Sequence, residues 1–215
     1  MKLGFTLPRL QPDPELVRRV AHTAEASNGI DALFAFDHLF RVSADGAKRP
    51  ALDGFSILAA LATTTKRIAL GTLVARATLR APAMAANMFA TLQRVSGGRV
   101  IAGIGAGDSQ SAPEMHAVGL GLGDEVTRVD ALRATLAATH GQGYPVWVGG
   151  RSVAVRELAS QSDGWNCWGA DLDTFTREAA AVRHAAGERQ YATSWGGVVC
   201  IAETDAAAQA KADQF

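Results

Sequence analysis

Apolar residues along the chain follow two alternating rhythms. Short, nearly unbroken apolar runs recur, and between them lie longer stretches where apolar positions return at helical spacing. The first rhythm suits strands buried on both faces of a parallel sheet, the second helices with one buried stripe. Lys2–Leu7 reads as a strand stopped by Pro8. Asp13-Pro14-Glu15 then opens a helix, with Asp as cap, Pro at the first helical position and an acid in the first turn. Leu16, Val17, Val20, Ala21 and Ala24 form its stripe, and Asn28-Gly29 ends it. Ala32–Phe36 is a second strand running into Asp37-His38. Arg41–Pro50 reads as a polar loop, after which Asp53 caps a helix carrying Phe55, Leu58, Ala59 and Ala62. Ile68–Val74 is the third strand and Pro82–Val95 the third helix, stopped by Ser96-Gly97-Gly98.

Val100–Ile104 is the fourth strand, and it breaks into Gly103-x-Gly105-x-Gly107-Asp108. Ala112–Val118 and Asp124–Thr139 follow as helices, then Pro145–Val148 as a fifth strand. Gly149-Gly150-Arg151-Ser152 leads into a helix through Leu158, Gly164–Trp168 is a sixth strand, and Asp171–Ala186 is a helix. Ser194–Ala202 reads as a seventh strand, with an Ala-rich helix from Thr204. About seven strand–helix units in one direction predict an α/β fold, a TIM-like (β/α)8 barrel in shortened form, one unit below the usual eight. The 215 residues suit one domain over 1–215 rather than two.

Composition narrows the partners. Lys+Arg and Asp+Glu are both 21, so no charge excess points to nucleic acid or an acidic membrane. With 48% hydrophobic and 20% charged residues the chain is of globular, enzyme-like composition. No apolar run is long enough to span a bilayer, and the N-terminus has the look of a strand rather than a signal peptide. Cys167 and Cys200 show no metal-ligand spacing and read as buried free thiols, which fits a cytoplasmic protein. No metal site is expected. The partner expected is a small-molecule substrate, and Ala-rich helix faces allow a homodimer.

In a parallel barrel the C-terminal strand ends converge on one rim. That rim would carry Asp37-His38, Thr72 to Arg76, Gly105 to Ser109, Gly149 to Ser152 and Trp165 to Trp168. The glycine-rich turn at Gly103–Gly107 has two readings, a dinucleotide fingerprint or the mouth of a barrel strand; Asp108 stands where the fingerprint needs its third glycine. His38 is either a packed rim histidine or a proton-handling group beside Asp37. Asp108 is either a second such group or a helix cap. Gly149-Gly150-Arg151-Ser152 is either a phosphate site or a simple strand-to-helix turn with Ser152 as N-cap, and the two glycines favour the phosphate site, since a cap alone would not need them. Trp165, Trp168 and Trp195 read as core. P-loop, zinc-hydrolase and serine-hydrolase motifs do not occur in the sequence.

These residues also carry a resemblance. Gly4-Phe5, Asp37-His38-Leu39, Ile68-Ala-Leu-Gly-Thr72, Leu92 to Arg99, Gly103-Ile-Gly-Ala-Gly107, Pro145-Val-Trp-Val-Gly-Gly150 and Asp163-Gly164-Trp165 occur in the order found in the bacterial luciferase-like superfamily. The chain is most similar there to coenzyme F420-dependent oxidoreductases. The resemblance implies a barrel that binds F420, or alternatively FMN, at its C-terminal rim. It implies that His38 sits by the reactive ring with Asp37 beside it, and that Asp108 can donate a proton. It implies a non-proline cis peptide at Leu73–Val74, flanked by Thr72, behind the ring, with glycines of the fourth strand (Gly105, Gly107) close to the cofactor. Gly149 and Gly150, with Arg151 and Ser152, would hold the cofactor phosphate. The activity implied is hydride transfer between F420 and an organic substrate, the alternatives being an FMN-dependent monooxygenase and a non-catalytic flavin-binding homologue. Two departures open the substrate pocket: only His140–Tyr144 stands where the family has a long insertion, and the last strand–helix unit is lacking.

Overall fold

The apolar runs form strands and the periodic stretches form helices, in nearly the order the pattern predicts. The structure, a computed structural model, describes residues 1–8, 13–42 and 47–214, the side chains of 41 and 42 excepted. The strands are β1 (Gly4–Thr6), β2 (Ala32–Ala35), β3 (Phe40–Val42), β4 (Lys48–Pro50), β5 (Ala69–Thr72), β6 (Ala75–Arg76), β7 (Val100–Gly105), β8 (Val146–Gly149), β9 (Gly164–Trp168) and β10 (Ala192–Gly196). The helices are α1 (Pro14–Ala26), α2 (Gly54–Thr64), α3 (Pro82–Ser96), α4 (Ala112–Ala117), α5 (Glu125–Thr139), α6 (Val153–Ala159), α7 (Leu172–Ala186) and α8 (Asp205–Ala212). Asp13, Asp53, Asp124 and Asp171 each cap a helix through a side-chain oxygen, as their positions in the sequence suggest.

Seven strands pair in parallel in the order β1-β2-β5-β7-β8-β9-β10, and the short β6 lies along the end of β7. This is the shortened barrel architecture. β1 and β10 are the two ends of the ladder. Curvature is visible in the side chains. In a flat sheet β2 and β9, four strand steps apart, would stand about 19 Å from each other. Yet the rings of Phe36, just beyond β2, and Trp168, in β9, are 5.5 Å apart edge-to-face. Phe34 of β2 likewise meets Trp147 of β8, with ring centroids at 6.1 Å. The sheet therefore curls. Its concave side holds Ala32, Phe34 and Leu73 with Val74, Ile101 and Trp147 packed against them. The larger core lies between the sheet and the helices, around Leu33, Leu58, Leu70, Phe89, Ile104 and Trp165.

Three predicted elements differ. The polar stretch Arg41–Pro50 contains an antiparallel ladder, β3 with β4, while 43–46 lie outside the described residues. The third strand is interrupted: β5 ends at Thr72, and the chain re-enters the sheet as β6 after the peptide Leu73–Val74. The seventh strand begins earlier and ends at Gly196, because β9 offers register partners only from Gly164 to Trp168. Beyond it Val198, Val199 and Ile201 are exposed apolar residues, and among the described residues no strand pairs alongside them.

At the N-terminal ends of the strands, cationic side chains tie down helix ends. Arg67 donates to the carbonyls of Ala24, Glu25, Ser27 and Ile30 after α1. Arg99 donates to the carbonyls of Ala62, Thr65, Ile68 and Ser96 and to Thr65 Oγ1. Several of these carbonyls belong to the last turn of a helix or the residues just after it, where helical partners run out and a cation also meets the negative end of the helix dipole; the Ala24 carbonyl accepts from the Ser27 N–H as well. Among the described residues no helix is long and apolar enough to cross a membrane.

Candidate functional site

The chain leaves β2 through Phe36, Asp37 and His38, and two polar networks begin there. Asp37 is almost fully buried. Its Oδ2 accepts from the Arg76 backbone N–H at 2.8 Å and from Arg80 Nη1 at 2.6 Å, and its Oδ1 accepts from Arg80 Nη2 at 2.8 Å. A guanidinium fork on both carboxylate oxygens is among the stronger ion-pair geometries. Burial pushes the Arg80 pKa down, but the Asp37 bonds outweigh it and leave it raised. The Arg80 guanidinium also lies 4.8 Å over the Phe55 ring. Asp37 therefore locks the β2 exit to the segment after β6.

His38 belongs to the second network. Its Nδ1 is 2.6 Å from Glu114 Oε1 on α4. Glu114 Oε2 accepts from the Leu39 N–H at 2.8 Å and from Arg76 Nη2 at 2.9 Å. Glu114 and Arg76 are buried to within 7% and 5% of full exclusion, whereas the His38 side chain is 36% exposed. The remaining Arg76 nitrogens, Nε and Nη1, are buried with no hydrogen-bond partner among the described residues. The imidazole faces Phe36, with centroids 6.2 Å apart, and Phe36 in turn meets Trp168.

The second wall comes from the interrupted third strand. The peptide Leu73–Val74 is cis, at the position the resemblance implies. Thr72 is buried and its hydroxyl donates to the Gly103 carbonyl at 2.6 Å. Leu73 faces the concave side of the sheet. Val74 seats between Gly105 and Gly149, which are register partners on β7 and β8. A Cβ on either glycine would lie 2.5 Å from a Val74 methyl, so both positions need glycine for close approach. Five of the predicted site residues, Thr72, Leu73, Val74, Gly105 and Gly149, are thus brought together.

Gly107, with φ of 77°, lies over Arg76 and Thr78. Asp108 is exposed and acts as a cap: Oδ1 accepts from Gln110 N at 2.9 Å and Ser111 Oγ at 3.4 Å. No hydrogen bond among the described residues joins it to His38.

The Gly149–Ser152 turn is held from behind. Gly150 N donates to the Asn166 carbonyl at 3.2 Å, and buried Trp165 donates through Nε1 to the Gly150 carbonyl at 2.7 Å. Ser152 precedes α6 but makes no side-chain cap bond, leaving its hydroxyl and the first N–H groups of α6 available at an exposed position. Arg151 turns away, to Glu178 on α7 at 3.2 Å, and that pairing raises its pKa. The backbone and Ser152, more than the Arg151 guanidinium, are what this turn offers a phosphate. The residues fit a cofactor with a flat ring against Val74 and a phosphate on the turn.

Sequence reading missed Glu114, Arg76 and Arg80. The one available signal was Glu114 in the first turn of a short helix after the glycine turn, a place where acids ordinarily face solvent. Of the tryptophans, Trp165 is core, while Trp168 and Trp195 are 40% and 45% exposed. Cys167 is buried, which pushes its thiol pKa up, and Cys200 is half-buried; both are free. A cleft of about 430 Å³ on the flank, lined by Thr78, Arg80, Leu122 and Thr127 among others, contains none of the predicted site residues. Among the described residues no group of three or more His, Cys, Asp or Glu could hold a metal ion.

Comparison with known proteins follows the same geometry. The profile of the luciferase-like monooxygenase family matches residues 1–215. An F420-dependent glucose-6-phosphate dehydrogenase of Nakamurella multipartita is 31% identical over 154 residues, which are 70% of this chain and 42% of that protein. The chain thus spans under half the length of this curated relative. An F420-dependent secondary alcohol dehydrogenase, solved with an F420-acetone adduct, superposes with a TM-score of 0.75 at 18% identity, over 91% of this chain and 68% of that one. The oxygenating constituent of 3,6-diketocamphane monooxygenase from Pseudomonas putida, solved with FMN, superposes with a TM-score of 0.70 at 19% identity, over 96% of this chain and 69% of that one.

Proposed function

Because the chain belongs to the luciferase-like monooxygenase family, we propose that it is an oxidoreductase using the deazaflavin coenzyme F420 to exchange a hydride with a small organic substrate. The observation that carries this reading is the convergence, on one rim, of a carboxylate-held histidine, the Val74 seat between Gly105 and Gly149, and an uncapped helix start after Gly150. The F420-dependent relative at 31% identity supports the choice of deazaflavin.

When bound, F420 supplies a ring carbon that gives or takes a hydride; the protein orients it and manages protons. His38 would hold or move the proton at the reacting substrate atom through its ring nitrogen. Asp108, exposed at the mouth, is the candidate second proton-handling group. Thr72, Leu73, Val74 and Gly105 would back the ring, Gly107 would keep the mouth of β7 open, and the backbone of Gly149 and Gly150 with Ser152 would receive the phosphate, Arg151 being engaged by Glu178. Asp37 supports the site from below through Arg80 and Arg76.

Purified protein titrated with F420 and, separately, with FMN tests the reading. F420 should bind with a dissociation constant in the micromolar range or tighter, and FMN more weakly. Binding of neither ends the proposal. Preferential FMN binding with oxygen uptake in the presence of a flavin reductase turns it into a monooxygenase, the reading to which the FMN-bound structural neighbour lends support. Tight F420 binding without turnover across donors and acceptors leaves a cofactor-binding homologue.

A further inference from the structure

The His38–Glu114 contact fixes more than the position of the ring. An ionised carboxylate only accepts hydrogen bonds, so a neutral imidazole 2.6 Å from Glu114 Oε1 must carry its proton on Nδ1. Glu114 is itself held so that it cannot easily turn away: Oε2 takes the Leu39 N–H and Arg76 Nη2, and Arg76 has no other hydrogen-bonded counter-charge among the described residues. Two of these contacts reach from α4 back across 76 and 75 residues to the exit of β2, and the third across 38 to β6. Their common product is one tautomer.

We propose that Glu114 is a positioning residue: it locks the neutral His38 ring in its Nδ1–H form and leaves Nε2 as a bare acceptor for the site. The His38 proton shuttle in the proposed function would then start as an acceptor, because the donating nitrogen is already committed to Glu114. The use of that acceptor in catalysis rests on the functional reading above, but the tautomer does not, since it is set by this chain's own residues.

The test is nuclear magnetic resonance of the ¹⁵N-labelled protein without cofactor, using two-bond proton–nitrogen correlations of the imidazoles at a pH where His38 is neutral. The His38 signals are those missing from the His38→Ala spectrum. The Nδ1–H form should exceed the Nε2–H form at least about tenfold, as a charge-assisted hydrogen bond on one tautomer requires. In Glu114→Gln, whose amide can donate as well as accept, the excess should fall below about threefold or reverse. An Nε2–H ring in the wild-type protein, or an undiminished excess in Glu114→Gln, overturns the proposal. If Glu114→Gln does not fold, the wild-type spectrum decides alone. F420 and FMN enter nowhere in this measurement, so a chain with the Nδ1–H ring and no cofactor affinity would overturn the proposed function and leave this inference standing.

Discussion

The two ends of the sheet use the same residue types to opposite effect. At the N-terminal ends of the strands, Arg67 and Arg99 use Nε, Nη1 and Nη2 on carbonyls at helix ends and strand starts, and Arg189 Nη2 and the Tyr191 hydroxyl bond carbonyls around the end of α6. At the C-terminal rim, Arg76 engages Glu114 with one nitrogen and leaves two without a partner, while half-exposed His38 is held by one edge. The arginine donors at the first end are taken up by the fold itself, although the buried Tyr144 hydroxyl there has no partner among the described residues. At the second they are satisfied in part, with glycines and an uncapped helix start beside them. Complete satisfaction is the mark of a structural knot, and partial satisfaction beside open backbone is the mark of a site.

His38→Ala should break this contrast most visibly, lowering turnover about 10²–10⁴-fold in a steady-state assay with F420 while circular dichroism stays native. A loss below about tenfold takes His38 out of the chemistry. Asp37→Ala should cost about 3–5 kcal/mol in denaturant titration, since it leaves the largely buried Arg80 fork with only the Asp53 carboxylate at 3.7 Å; a cost under about 1 kcal/mol would mean that the rim depends on this pair no more than on a surface contact. Arg99→Ala should cost about 2–4 kcal/mol by stranding helix-end carbonyls, with cofactor affinity per folded molecule unchanged. If affinity also falls, the two ends are not separable. Gly149→Ala should cost about 1–3 kcal/mol through the Val74 contact and weaken cofactor binding more than Arg99→Ala does. Isothermal titration of both variants makes that comparison.

The smallest effect belongs to the tyrosines, of which there are two. Burial raises both, Tyr191 to about 12, where Arg189 and the Ser162 bond oppose the burial. Each phenol thus stays protonated in the fold at a pH where the unfolded chain, with its pKa near about 10, has begun to ionise. Their contribution is intact below about pH 10 and is lost as the pH climbs toward 12. Phenolate absorbance rising near pH 10 in the native protein would contradict this.

Fold and rim were legible in the sequence because they rest on local signals. Strand–helix alternation, Asp caps, Asp37-His38 and the glycines at Gly105 and Gly149 are all read within a few residues of themselves. The β3–β4 ladder was not, since its alternation in Phe40-Arg41-Val42 is only three residues long and its partner Lys48-Arg49-Pro50 is polar and exposed. Glu114, Arg76 and Arg80 were hidden for a different reason. Each is a charged residue in an ordinary helix, loop or short-strand context, and its meaning comes from a partner 38 to 76 positions away. Charge pairing across such distances leaves no periodic trace. Asp108 shows the converse: a local signal that permitted two readings, of which the cap is visible in its bonds to Gln110 and Ser111.

The Phe36–Trp168 and Phe34–Trp147 contacts have a geometric consequence. With β1 and β10 ending the ladder, the sheet is an arc rather than a ring, and an arc's bend is fixed by its chords. The aromatic pairs are those chords, one across the interior and one at the mouth. Shortening one, by trimming Trp168 to a smaller side chain, would leave every strand pairing in place and still change the aperture through which a ligand must pass.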